Sequence, residues 1–197
     1  MAEHQGAPPL GEEQVRQWQV RDTVLLDGIV WGVRDATLIR MFDQGVAPPV
    51  DLQGAVLLHV APNVRKTATG YEPLSIGTTT SMRMDRFSEG LLAQYGVRAI
   101  IGKGGLSERS STLFQQYGAA YLAIVGGAAS VETLQVEAIE AVYWEDLMPE
   151  CLWRFRVRSF GPLIVAMDAQ GGNIYREVAD TARARLGDLY RQLGVTG

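Results

Sequence analysis

The chain has 197 residues, 47% hydrophobic and 20% charged, with 18 basic against 22 acidic side chains and a formal net charge of −4. Its basic residues are scattered, which argues against nucleic acid or an anionic membrane surface as partner. No apolar run approaches the roughly 20 residues of a membrane span, and the start lacks the charged-then-apolar order of a leader, so a cytoplasmic protein is expected.

In chain order, Met1 to Gly11 is polar, contains Pro8-Pro9, and is expected to be a loose tail to one domain spanning 1–197. Thr23 to Val33 reads as one or two strands interrupted at the Asp27-Gly28 turn signal. Arg34-Asp35 closes that strand, and Asp35 to Gln44 has the apolar spacing of a helix. Gly54 to Val60 is a near-continuous apolar run, as in a strand covered on both faces. His59 lies within it, where a hydrogen-bonded core histidine is commoner than a catalyst. Val64 to Thr69, with Arg65 and Lys66, is expected to be a polar loop.

An extended segment, Tyr71 to Ile76, then enters Gly77-Thr78-Thr79-Thr80-Ser81-Met82-Arg83-Met84-Asp85, ahead of a helix to Tyr95. Four hydroxyl residues at a helix start have two explanations. They can cap the backbone, or, with Arg83 beside them, they can hold an anion at the unpaired N–H groups of the first turn.

Val97 to Ile101 is a strand running into Gly102-Lys103-Gly104-Gly105, followed by a helix from Ser107 to Tyr117. Lys103 thereby emerges at the carboxyl end of a strand, the edge where open α/β sheets bind ligands, although the spacing is not that of a Walker A loop. Ala119 to Val125 repeats the pattern into Gly126-Gly127-Ala128-Ala129-Ser130 and a helix to Glu137. Ala138 to Val142 suggests another strand, and an acidic, aromatic stretch leads to Trp153. Arg154, Arg156 and Arg158 alternate with apolar residues and should share one exposed face. Leu163 to Tyr175 reads as a hairpin, and Arg176 to Leu193 as a closing amphipathic helix. Strand-helix alternation from Leu74 to Glu137 indicates parallel β-α units in a layered α/β domain. One cysteine, Cys151, and two histidines, His4 and His59, leave neither a disulfide nor a cysteine- or histidine-built metal site within the chain.

Arg34-Asp35, the Gly77–Asp85 stretch, Ile101-Gly102-Lys103-Gly104, Gly126-Gly127-Ala128-Ala129 and the acidic stretch ending in Leu152-Trp153 together resemble the β subunit, or C-terminal domain, of class I fumarase and L(+)-tartrate dehydratase. Thr-Thr-x-x-Arg-Met-Asp with Gly-Lys-Gly about twenty residues later is the most specific part of the likeness. The resemblance implies a swivelling β/β/α layered domain with a largely parallel central sheet. It also implies one half of a hydro-lyase that reversibly adds or removes water on fumarate/malate or tartrate/oxaloacetate. The other half is a partner α subunit whose cysteines hold a 4Fe–4S cluster, in an α2β2 assembly. By position, Arg34, Arg83 and Lys103 would bind substrate carboxylates, Thr79 would be the catalytic base, and Thr80 and Ser81 would orient substrate or cap. Asp85 would pin Arg83 or a helix start. Three positions depart from the family pattern: Thr78 stands for its proline, Met82 for a small residue and Leu38 for a histidine. A non-catalytic dicarboxylate-binding or regulatory subunit is the alternative, and an iron-independent phosphate-binding α/β enzyme a third possibility.

Overall fold

In a computed structural model, which describes residues 1–124 and 129–194, the chain builds a mixed α/β fold around a mostly parallel sheet. Three short apolar strands, β3 (Val56–His59), β6 (Ala99–Gly102) and β7 (Ala120–Ala123), lie side by side and parallel. The long β2 (Thr23–Val33) runs parallel to β3, and the 16-residue β9 (Leu152–Met167) runs antiparallel to both β7 and β2. Pairing β9 at both places closes the sheet into a barrel-like ring. Two strands extend it: β1 (Glu3–Gly6) pairs parallel with β2, and β8 (Val136–Tyr143) antiparallel with β9.

The period of two along each strand separates two cores. Val56, Leu58, Ala99, Ile101, Ala120 and Leu122 join Trp153 and Phe155 in one apolar cluster. Their alternates Leu57, Ile100 and Tyr121 pack in the other cluster against helices α2 (Asp35–Phe42), α3 (Ser88–Ala93) and α4 (Glu108–Tyr117). Helices α1 (Glu12–Val15), α5 (Ala129–Leu134) and α6 (Ile174–Gln192) complete the described set.

Several expectations need correction. The N-terminal segment is not loose, because β1 takes up pairing with β2 and Asp22 accepts the Ala2 amide at 2.7 Å, while its other oxygen lies 2.9 Å from His4 Nε2. Asp27-Gly28 does not break β2. Gly28 takes φ of +115°, a conformation glycine adopts freely, and the strand absorbs it as a register shift against β9. The polar segment 64–69 belongs to a hairpin, β4 (Asn63–Thr67) with β5 (Gly70–Ser75), in which Arg65 and Glu72 pair across the strands. Residues 163–175 keep only a single antiparallel bridge, Met167 with Asn173, of the expected hairpin. β9 continues to Met167, the Asp168 carboxylate accepts the Gln170 and Gly172 amides, and the Asn173 side chain caps α6 by accepting the Tyr175 and Arg176 amides. The arginines at 154, 156 and 158 do share a polar face, paired with Glu140 and Glu137 of β8. Gly126, Gly127 and Ala128 lie outside the described residues. Among those described, no helix is long and apolar enough to cross a membrane.

Candidate active site

The parallel strands β2, β3 and β6 deliver Arg34, His59 and Lys103 to one edge of the sheet, since Val33 pairs with His59, and Leu58 with Ile101. The hydroxyl-rich segment is laid across that edge by backbone bonds. Thr78 bridges Val60, the Thr79 amide donates to the His59 carbonyl at 2.9 Å, Thr80 bridges Lys103, and the Ser81 amide donates to the Lys103 carbonyl at 3.2 Å. It therefore behaves as a short added strand rather than as a helix cap. Thr80 is extended, and its side chain makes no cap bond to the next element, a seven-residue 3-10 helix (Ser81–Phe87) that runs into α3. The expected α-helix start beneath an anion is absent, because the chain spends those residues on pairing with β3 and β6.

Three of the four hydroxyls divide between two roles. Ser81 is fully buried, its Oγ 2.9 Å from His59 Nδ1 and 3.0 Å from the Tyr121 hydroxyl. It is thus engaged with the frame beneath the segment. Thr80 is exposed and Thr79 half-buried, and neither hydroxyl has a hydrogen-bond partner among the described residues. Burial pushes the His59 imidazole down to about 4, against a smaller upward pull from Asp35. It is neutral at physiological pH.

The charged side chains meet through Asp35. Arg83 donates from Nη2 to its Oδ2 and from Nε to its Oδ1, while Arg34 Nε lies 3.3 Å from the same Oδ2. Burial alone would raise the Asp35 carboxyl, but the Arg83 hydrogen bond and charge, with the Arg34 charge, hold it below the usual carboxylate range. Glu150 is a second carboxylate here, 3.3 Å from Arg34 Nε. Its other oxygen accepts the Ala36 amide at 2.8 Å and its carbonyl accepts the Thr37 hydroxyl, so it satisfies the open start of α2. Sequence reasoning missed Glu150; the acidic run before Trp153 was its only trace. Lys103 is exposed and pairs with no carboxylate among the described residues. Asp85 makes no ion pair with Arg83, whose carboxylate partner is Asp35. It accepts from the Ser107 amide and hydroxyl and the Ser110 hydroxyl at 2.7–2.8 Å, fixing the start of α4.

Of the departures, Met82 is 51% exposed beside Arg83, whereas Leu38 is fully buried in the core under α2. Cys151 is buried and its thiol pushed up to about 11, chiefly by that burial. Among the described residues no three His, Cys, Asp or Glu side chains gather as metal ligands, so this chain's own side chains do not fit an iron–sulfur cluster. What the edge presents is three cations, two resident carboxylates and two unengaged threonine hydroxyls. Such a surface can orient a small anion with more than one carboxylate.

A family profile described as fumarase C-terminus matches residues 6–178. The chain is 38% identical over 170 residues to the L(+)-tartrate dehydratase subunit beta of Escherichia coli (strain K12), covering 86% of this chain and 85% of the relative. It is 36% identical over 185 residues to a putative L(+)-tartrate dehydratase subunit beta of Methanocaldococcus jannaschii, covering 91% and 95%. A putative fumarate hydratase class I of Geobacillus stearothermophilus is 33% identical over 180 residues, 90% of this chain but 34% of that longer protein.

Proposed function

Because the chain belongs to the fumarase C-terminus family, we propose that it is the β subunit of a hydro-lyase acting on a small dicarboxylate, fumarate/malate or tartrate/oxaloacetate. The observation that carries this is the joining of Arg34 and Arg83 through Asp35 at the sheet edge where Lys103 also lies, with Thr79, whose hydroxyl has no partner among the described residues. The relatives named as beta subunits support a partner. That partner is proposed to be an α subunit bearing a 4Fe–4S cluster, which would act as Lewis acid toward the departing hydroxyl. The assembly is taken as a cytoplasmic α2β2 hetero-oligomer in which this chain forms a swivelling β/β/α layer.

Within this chain the steps are ones of binding and proton transfer. Arg34 and Arg83 bind substrate carboxylates through planar forks, and Lys103 adds a point charge. Thr79, as its alkoxide, takes the proton from the carbon next to the one that loses hydroxide, and the C–H electron pair becomes the new double bond. A threonine hydroxyl is a weak base in water. Its ionised form needs the neighbouring cations, and the three basic side chains outnumber the two carboxylates here. Thr80 orients the substrate from the exposed side of the same segment.

Anaerobic co-expression with the cluster-bearing partner, followed by assays on fumarate, malate and tartrate, tests the assignment. Turnover that requires both subunits and falls about a hundredfold or more in Thr79→Ala and Arg83→Ala is expected. An assembled complex that binds a dicarboxylate but turns none over would replace the enzyme with a binding subunit.

A further inference from the structure

A buried polar cluster lies beneath the threonine segment, and the proposed chemistry does not use it. His59 is 1% exposed; its Nδ1 is 2.9 Å from Ser81 Oγ, while its Nε2 is buried with no hydrogen-bond partner among the described residues. The Tyr121 hydroxyl lies 3.0 Å from Ser81 Oγ and 3.0 Å from the Gly104 carbonyl oxygen. Space for this meeting exists only because residue 102 is glycine: a Cβ there would stand 1.8 Å from Ser81 Oγ.

The neutral ring carries one proton, and the hydroxyls one each, so the orders divide by tautomer. With the ring proton at Nε2, Ser81 donates to Nδ1 and Tyr121 donates either to Ser81 or to the Gly104 carbonyl; both arrangements leave a bare buried N–H at Nε2 and one of the three contacts without a proton. With it at Nδ1, Nδ1–H donates to Ser81, Ser81 to Tyr121, and Tyr121 to the Gly104 carbonyl, which can only accept. That order pairs every donor and leaves Nε2 as the one acceptor atom of the cluster without a partner. An unpaired buried donor is the heavier penalty.

We propose that His59, as its Nδ1–H tautomer, is a positioning residue that holds Ser81 at the head of this hydrogen-bond chain and so fixes Thr79 and Arg83 on either side of it. The proposal rests on the hydro-lyase reading for what those two residues do, but not for the tautomer. Ser81 is the buried post of the segment. Two residues before it, the Thr79 amide is bonded to the carbonyl of His59 itself at 2.9 Å, and two residues after it Arg83 reaches Asp35. The same histidine therefore anchors the segment by main chain and by side chain.

Nitrogen-15 NMR of the full chain, labelled at histidine, reads the tautomer directly. His59 Nδ1 is expected to show the protonated shift and Nε2 the unprotonated one; the reverse pattern overturns the proposal whether or not the complex has activity. In the complex with the cluster-bearing partner, His59→Asn brings an amide nitrogen to the place of Nδ1 and is expected to keep turnover near that of the unaltered protein. His59→Gln brings its amide to the place of Nε2 instead. It is expected to lower kcat about a hundredfold, the scale of a misplaced catalytic group, with KM for the dicarboxylate little changed. Equal losses in both variants, or Gln outperforming Asn, would refute the positioning role. An unaltered complex without turnover would instead sink the hydro-lyase reading, and the NMR pattern would still decide the tautomer.

Discussion

Gly102→Ala should be among the most damaging single-methyl additions to this chain. The new Cβ would meet Ser81 Oγ at 1.8 Å, the Tyr121 hydroxyl at 2.9 Å and Ser81 Cβ at 3.1 Å. Ser81 cannot retreat as a whole, because its amide is tied to the Lys103 carbonyl. Its hydroxyl must rotate away, forfeiting His59 and Tyr121 in a buried site. Overpacking of this kind costs roughly 1–3 kcal/mol, and stranding buried polar groups about 1–3 kcal/mol more, so about 2–6 kcal/mol is expected in all. For a chain of this size that corresponds to a fall in Tm of roughly 4–24 °C. Urea and thermal unfolding of the full chain would measure it, with Gly104→Ala as the control. At Gly104 nothing lies within 4 Å of the added carbon, and only its φ of +73° is unfavourable, worth about 1 kcal/mol. Adding Ser81→Ala to Gly102→Ala removes the 1.8 Å contact and should recover about 1 kcal/mol or more. A Gly102→Ala variant within about 2 °C of the unaltered protein, or a double variant no more stable than the single one, would show that the glycine is not there to admit the serine.

The buried imidazole also predicts an acid limb. With a folded value of about 4 against an ordinary 6.5, the native state binds fewer protons than the unfolded one between those values, so the contribution is whole above pH 6.5 and lost as the pH falls to 4. It amounts to at most about 3 kcal/mol. Urea unfolding at stepped pH should show this limb flattened in His59→Asn; an unchanged limb would refute it, and Asp22, held at about 2 chiefly by the Ala2 amide, titrates too low to imitate it. At the start of α2, Glu150→Ala should destabilise by about 1–2 kcal/mol, the scale of a lost helix cap, whereas Glu150→Gln keeps an acceptor for the Ala36 amide and should regain most of that. Equal losses in calorimetry would show that Glu150 acts on Arg34 by charge alone.

The parts of the fold carried by apolar rhythm were legible. Gly54 to Val60, Val97 to Ile101 and Ala119 to Val125 announce buried parallel strands because both of their faces must be covered. Lys103 could be placed at a strand's carboxyl end for the same reason. Pairing partners were not legible. β1 is polar and short, and the carboxylate of Asp22 that orders it is distant in sequence from Ala2. β9 reads as two pieces, an alternating segment at Arg154–Arg158 and another from Leu163, whereas its long pairing with β2 carries the strand through. At the site, the arginines and threonines stood out by residue type. The inward turn of Ser81 depends on the missing Cβ at Gly102, distant along the chain, and Glu150 reaches α2 from further still. Neither has a local signature.

Asp35 would be expected to work against anion binding, since it occupies both arginines before any ligand arrives. The atoms involved resolve this. Arg34 meets Asp35 and Glu150 through Nε, and Arg83 meets Asp35 through Nε and Nη2. A guanidinium has five N–H donors in a fixed plane. Both Nη groups of Arg34 and Nη1 of Arg83 therefore make no hydrogen bond to a carboxylate among the described residues. One edge of each fork is held in place and another is left for recognition, which removes the side-chain entropy that two long, free arginines would lose on binding. Lys103, with no carboxylate of its own among those residues, then supplies the charge by which the edge remains net cationic. On the proposed reading, a ligand with a single carboxylate would engage part of this arrangement, whereas a dicarboxylate would engage more of it.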